Sequence, residues 1–167
     1  LNVAYRAIDP DPDQIRASLR PRDQLFADNY VGFGIDTEGD GTRVFEFFNN
    51  PLGVQGDAIA TLELGEKFSF DAIWESKGTI TDDGFIVEVA VPLSQIRFTQ
   101  KDGPQNWKIF LTQTYPRDRR YQAFGHPIDR DKACWTCQFQ PVTGFVGAKP
   151  GERFQFIPSL TANRRET

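Results

Sequence analysis

Hydrophobic and polar residues alternate along most of this chain with a period of two. Residues 30–36 place a valine, a phenylalanine and an isoleucine on one side, and residues 43–50 repeat the pattern with Phe45 and Phe47. This period is typical of a β-strand with one buried face. The linker 37–42 is rich in glycine and acidic turn formers. The two stretches are therefore predicted to form a β-hairpin.

Other segments show the same alternation or a strand-like composition. Strands are predicted over 1–8, 58–64, 68–76, 85–91 and 106–115. Acidic residues and prolines at 9–13 precede an apolar spacing of four in 14–19, which predicts a short helix. The sequence therefore predicts an all-β protein, an antiparallel β-sandwich with one or two short helices.

The amino-acid composition agrees with this fold class and argues against some classes of binding partner. The chain has 167 residues, enough for one self-sufficient core, and it uses 15 Phe, 14 Gly and 11 Pro but no Met. Its net charge of -4 argues against a nucleic-acid partner, which requires a basic surface. No apolar run is long enough to predict a transmembrane helix.

The chain starts at Leu1 inside a strand-like run. Because an edge strand normally pairs with a neighbour from the same domain, we expect the chain to be a fragment that lacks upstream strands. Any signal peptide would lie in the same missing segment.

The predicted hairpin turn carries a candidate metal site. Asp36, Glu38 and Asp40 alternate and are followed by Gly41, as in the first half of a calcium loop, but Phe47 stands where the closing bidentate carboxylate would be. Two interpretations stay open. Calcium is the candidate ion, and the alternative is an acidic hairpin turn that binds no ion.

Two cysteines lie near the end of a long polar stretch. Residues 116–132 are charged and without period, which predicts a long exposed loop. Cys134 and Cys137 are separated by two residues and can form a disulfide, a redox pair or half of a zinc site. His126 is the only histidine, so four zinc ligands are hard to assemble. We favour a disulfide formed in an oxidising compartment, and two reduced thiols are the next interpretation.

The order of several short blocks resembles a known family. The blocks are residues 3–7, 9–10, 15–17, 22–23, 28–31, 35–37, 47–55 (FFNNPLGVQ), 74–76, 84–88 and 91–98. Together they resemble the family 9 carbohydrate-binding-module domain, in the version found at the N-terminus of bacterial outer-membrane proteins that continue as a β-barrel. The resemblance covers nearly the whole chain.

The resemblance implies a fold, a location and domain limits. It implies a jelly-roll or DOMON-like sandwich over residues 1–150, exported to the cell envelope as a periplasmic or surface-exposed domain. Residues 151–167 would be a linker or the start of the following outer-membrane β-barrel, which would be a partner within the same chain.

The resemblance also implies glycan recognition. A sugar-binding module stacks pyranose rings on aromatic side chains and fixes hydroxyl groups with planar polar ones. The stacking candidates are Trp74, Trp135 and Tyr121. The hydroxyl-binding candidates are Glu75, Arg117, Asn49 and Gln55. A tryptophan on a half-buried strand is more often a core residue, and this weighs against Trp74.

An enzymatic role is not expected. The sequence shows no pair of carboxylates that can be placed across a cleft for glycoside hydrolysis, and no nucleophile elbow accompanies the one histidine. A haem is disfavoured because methionine is absent. The expected function is a non-catalytic carbohydrate-binding module, and the alternative is a structural plug or protein-docking domain without a sugar ligand.

Overall fold

The computed structural model describes residues 1–151 and 158–159, and in this part the chain forms ten β-strands. The strands are β1 (Asn2–Ile8), β2 (Tyr30–Asp36), β3 (Arg43–Asn49), β4 (Gln55–Thr61), β5 (Gly65–Lys67), β6 (Glu75–Thr81), β7 (Gly84–Ala90), β8 (Trp107–Pro116), β9 (Arg120–Phe124) and β10 (Gln140–Val142). Three 3-10 turns, Pro12–Gln14, Leu93–Gln95 and Thr136–Gln138, are the described helical segments.

The strands form two antiparallel sheets. The smaller sheet has the order β1-β7-β6, and the larger has the order β10-β8-β2-β3-β4-β5, with β9 also paired to β8. The all-β antiparallel sandwich predicted from the sequence is confirmed. Within the described residues, the helical segments lack the length and apolar character needed to span a bilayer.

The main core lies between the two sheets. Phe33 of β2 and Phe47 of β3 are fully buried and stack with their ring centroids 5.2 Å apart. They belong to the same cluster as Phe85 and Val87 of β7 in the smaller sheet. The alternation read from the sequence at 30–36, 43–50 and 85–91 therefore identified the core-facing side chains correctly.

The segment 68–76 was predicted as one strand, and this is wrong. Its side chains do alternate between buried and exposed, with Ala72 and Trp74 buried, but the residues before Glu75 belong to no strand. Side chains and main chain of other segments hold this stretch instead. The N–H of Ala72 donates to the Asp57 carboxylate at 2.6 Å, and Arg22 donates to the Ala72 carbonyl at 2.7 Å.

Two further local predictions need correction. Residues 15–19 are not helical. The described helical turn in this region is Pro12–Gln14, which begins two residues before the predicted helix and includes Asp13 of the predicted acidic turn. The predicted loop 116–132 contains β9, which extends the edge of the larger sheet by pairing with β8. All five residues of β9 are exposed, so no hydrophobic alternation marked it as a strand.

The domain limits 1–150 and 151–167 stay predictions. Most of the segment assigned to a linker or barrel start, residues 152–157 and 160–167, lies outside the described residues.

Gly84 should be the position in the smaller sheet that is least tolerant of a side chain. It has φ +150°, and a Cβ there would overlap the carbonyl oxygen of Ala7 on β1. We expect Gly84→Ala to lower the free energy of unfolding by about 1–3 kcal/mol, measured by urea denaturation. Gly103→Ala is the matched control because its Cβ would meet nothing within 4 Å. Equal denaturation midpoints for the two variants would contradict the pairing of β1 with β7 at Gly84.

Candidate functional site

A cavity of about 580 Å³ lies on the outer face of the larger sheet, the face directed away from the smaller sheet. This volume is in the range of small-molecule binding sites. Seven aromatic residues line it: Phe26, Tyr30, Phe48, Phe68, Phe110, Phe124 and Trp135. Four polar residues complete the lining: Glu66, Thr112, Arg120 and Gln122.

The floor of the cavity depends on two glycines in β2. Gly32 and Gly34 face outward on this strand, opposite the core-facing residues. A Cβ at Gly34 would overlap the ring of Phe110, and a Cβ at Gly32 would overlap the ring of Phe48. The absence of side chains on β2 therefore lets aromatic rings from both neighbouring strands lie across its backbone.

One wall is a cluster of edge-to-face aromatic contacts around Phe26. Its ring centroid is 5.4 Å from those of Tyr30 and Phe48 and 5.1 Å from that of Phe68. Such contacts fix the ring orientations more firmly than area burial alone. This wall joins the segment before β2 to the segment after β5.

Trp135 forms part of the opposite wall. Its ring packs 5.4 Å from Phe110 and 4.9 Å from Phe139. The neighbouring Cys134 and Cys137 are at disulfide-bonding distance, as the preferred interpretation of the sequence expected. The Thr136 hydroxyl donates to the carbonyl of Gly41 at 2.6 Å. These contacts hold the Trp135 loop against the β2–β3 turn.

Strand β9 supplies the polar rim. Arg120, Gln122 and Phe124 alternate along it and line the cavity. Arg120 donates a hydrogen bond to the Tyr30 hydroxyl, and its guanidinium lies 5.5 Å from the centre of the Tyr30 ring. Gln122 donates to the Thr112 hydroxyl at 3.3 Å.

A buried carboxyl group lies on this same face of the sheet. Glu46 of β3 is 0% exposed, and neither of its carboxyl oxygens has a hydrogen-bond partner in the described part of the chain. It is two residues from Phe48 on the same side of the strand and pairs in register with Gly34. Burial, and less strongly the negative charge of Glu66, raise the pKa of the Glu46 carboxyl to about 8. The neutral acid therefore predominates at pH 7.

Of the seven sequence-predicted ligand residues, Trp135 lines this cavity and the others lie elsewhere. Trp74 is 6% exposed and packs edge-to-face on Phe47 at 5.3 Å. Trp74 and Glu75 border a separate cavity of about 360 Å³ next to Pro92. The Trp74 ring is thus mainly a core element.

The predicted hydroxyl-binding side chains at 49 and 55 do not reach the aromatic cavity. Gln55 is hydrogen-bonded within the protein, whereas the Nδ2 atom of Asn49 is buried without a partner among the described residues. Gln55 donates to the Trp74 carbonyl at 2.9 Å and accepts a hydrogen bond from Arg22 at 2.7 Å. Asn49 is buried at the end of β3. Neither side chain faces the aromatic cavity.

The other two candidates lie near the β8–β9 turn. Arg117 forms an ion pair with the buried carboxylate of Asp9. Tyr121 is stacked on Tyr115, with 5.4 Å between ring centroids, and its hydroxyl donates to Asp118 at 3.0 Å. Because side chains alternate along β9, Tyr121 lies on the face opposite the cavity.

Each carboxylate of the predicted calcium site has a partner within the protein. Asp36 is buried and accepts hydrogen bonds from the backbone N–H groups of Gly39 and Gly41, both at 2.8 Å. Glu38 accepts from the Thr99 N–H at 2.9 Å, and Asp40 accepts from Thr42. These contacts explain the acidic turn without an ion, and calcium at Asp36, Glu38 and Asp40 stays a prediction.

A different trio of carboxylates converges in the described residues. Asp23, Asp57 and Asp71 each place an oxygen within 4.8 Å of the others. Arg22 is bonded to this group through its Nε, which donates to Asp57 at 2.8 Å. The same Nε atom lies 3.7 Å from an Asp71 oxygen, so we interpret the group as an ion-pair network around Arg22.

Comparisons of the chain with models of protein families, with curated proteins and with solved structures returned no match. The family resemblance noted in the sequence therefore stays a prediction.

Glu46 should make stability depend on pH. Its pKa is about 8 when folded against an ordinary value of 4.5, so the folded state binds more protons than the unfolded state between these values. Stability should fall as pH rises through that window, by an amount on the order of a few kcal/mol. Glu46→Gln carries no charge and should remove this component, so its advantage over the wild type should grow from about pH 5 to about pH 8.

Urea denaturation at several pH values measures this effect. Glu63→Gln, at an exposed position outside the cavity, is the matched control. A constant difference between wild type and Glu46→Gln across the window would show that Glu46 is not a buried neutral acid.

Proposed function

We propose that this chain is a non-catalytic carbohydrate-binding module and that the aromatic cavity on the larger sheet is its ligand site. The observation that supports this most is the composition of the cavity, with seven aromatic residues beside Glu66, Arg120 and Gln122. Aromatic rings contact the apolar faces of a pyranose, and planar polar groups at the rim bond its hydroxyl groups.

The rim and the walls would have different roles. Phe124 and Trp135 would contact the sugar rings, while Arg120 and Gln122 would bind hydroxyl oxygens with their N–H groups. The Tyr30 hydroxyl already accepts from Arg120, which orients the guanidinium before a ligand binds. Preorganisation of this kind reduces the entropy lost on binding.

A binding role is favoured over catalysis by the positions of the carboxyl groups. Glu46 is fully enclosed, so its proton cannot reach a glycosidic oxygen in this conformation. Glu66 is then the one carboxylate among the cavity-lining residues, whereas glycoside hydrolysis normally needs two.

The family resemblance adds a cellular context to the proposal. It supports a cell-envelope location, periplasmic or surface-exposed, with an outer-membrane barrel as a partner in the same chain. The alternative of a docking or plug domain would require an apolar patch beside the C-terminal tail, and most of that tail lies outside the described residues.

Calorimetric titration with a panel of neutral oligosaccharides, with and without calcium, tests the proposal. We expect saturable binding by at least one β-linked glucose or N-acetylglucosamine oligomer. Affinity that does not change on calcium removal would place the ligand site away from the acidic hairpin turn. Failure of every sugar to bind would overturn the proposal.

Two aromatic residues of β9 provide a matched test of where the sugar binds. Phe124 lines the cavity and Tyr121 faces the other way, and each is 37% exposed. We expect Phe124→Ala to weaken sugar binding about ten-fold, since a lost aromatic contact of about 1.4 kcal/mol has this effect. Tyr121→Ala should leave the affinity unchanged. The opposite result would move the site to the Tyr115–Tyr121 stack.

A further inference from the structure

Two carboxyl groups lie on the same face of the sheet at one side of the cavity. Glu66 on β5 is exposed and lines the cavity, and Glu46 on β3 is buried on the same face of the sheet. Between them lies β4, which presents only Ala58, opposite Glu46, and Ala60, opposite Glu66. Only these two small side chains lie between the carboxyl groups on this face. Burial, and less strongly the negative charge of Glu66, raises the pKa of Glu46.

No positive charge of the described residues balances this acidic side. Neither Glu46 nor Glu66 belongs to an ion pair with a residue in the ranges 1–151 and 158–159. Arg120 is the cation among the cavity-lining residues, and it donates a hydrogen bond to Tyr30 of β2. Glu46 pairs with Gly34, which lies four residues further along β2. Four residues of a β-strand span about 13 Å of backbone. The cavity therefore has an acidic side and a basic side.

The walls beside the acidic side are suited to a cation. Phe48, Phe68 and Trp135 line the cavity, and the faces of aromatic rings attract cations, most strongly when water is excluded. A buried carboxyl group with no hydrogen-bond partner is costly, and a ligand that brings positive charge nearby reduces that cost.

We propose that Glu66, together with Glu46 beneath the surface, makes the cavity selective for a ligand with a cationic nitrogen, and that an amino sugar with a free ammonium group is the carbohydrate it takes. The choice of a sugar rests on the proposed function, while the cation site rests on the two carboxyl groups alone.

The two glutamates have different roles in this proposal. Glu66 accepts a hydrogen bond from the ammonium group because its carboxylate faces the cavity. Glu46 has no exposed surface, is neutral in the free protein, and contributes a negative charge only when a nearby bound cation favours its ionisation. A bound cation favours the ionised form of Glu46, so binding should release protons near neutral pH. Glu66 and Arg120 are the other charged groups that line the cavity.

The test compares three trisaccharides at about pH 6, where the amino groups carry their protons: β-1,4-linked glucosamine, its N-acetylated counterpart and β-1,4-linked glucose. We expect the glucosamine trimer to bind at least about ten-fold more tightly, a difference of about 1.4 kcal/mol. Calorimetry in buffers of different ionisation enthalpy should show proton release, and Glu46→Gln should reduce it.

Glu66→Gln should abolish the preference for the glucosamine trimer over the glucose trimer, whatever its effect on the affinity for the neutral sugars. Glu63→Gln, at an exposed position outside the cavity, should keep the preference. Circular dichroism confirms that each variant is folded. Rising salt concentration should weaken binding of the glucosamine trimer more than that of the neutral trimers.

The other outcomes separate the two proposals. Equal affinity for the three trisaccharides would overturn the cation preference and leave carbohydrate binding standing. If no sugar binds but n-butylammonium binds and requires Glu66, the cation site stands and carbohydrate binding fails. Binding of calcium ions alone, dependent on Glu66, would replace the amine with a metal and overturn the inference. So would failure of every probe to bind.

Discussion

The central strands of the larger sheet are apolar on both faces, and the rest of the structure follows from the need to cover both. All seven residues of β2 are buried, and so are six of the seven in β3. The inner face is covered by the smaller sheet, which supplies Phe85 and Val87 to the core. No second sheet covers the outer face in the described part of the chain. Loops and edge strands must cover it instead.

The cavity lies where this second cover is incomplete. Two separate aromatic clusters pack on the outer face, one around Tyr30 and Phe48 and the other around Phe110 and Phe139. The cavity is lined by members of both. Regular strands packed on that face would have buried the aromatic rings completely, whereas loops attached at their ends leave a concave space between them.

Much of the fold could be predicted because period-two alternation reports which side chains face the core. The hairpin of β2 and β3 and the strand β7 were predicted correctly for this reason. In 68–74 the alternation identified the buried side chains but not the secondary structure, because Asp57 and Arg22 satisfy the backbone of Ala72 in place of a neighbouring strand. Burial and strand pairing are separate properties, and the pattern reports only the first.

The candidate site was harder to predict because its residues are distant in sequence. Phe26, Phe68 and Trp135 meet only after three different loops have packed on the sheet. One signal was nevertheless present in the sequence. A glutamate between Val44 and Phe48 breaks the apolar character of the outer face, and this position is Glu46. A charged residue among apolar neighbours on a strand that is buried on both faces indicates a buried ionisable group.

The ion pair between Asp9 and Arg117 joins the smaller sheet to the edge of the larger sheet. Asp9 follows the last residue of β1 in the smaller sheet, and Arg117 begins the turn that leads into β9 of the larger sheet. Both side chains are largely enclosed, so the link is shielded from solvent ions. The ion pair therefore connects the end of β1 to the turn that leads to Arg120 and Phe124 at the cavity. A substitution at Asp9 would act on the cavity wall from the side of the smaller sheet, through a residue that does not line the cavity.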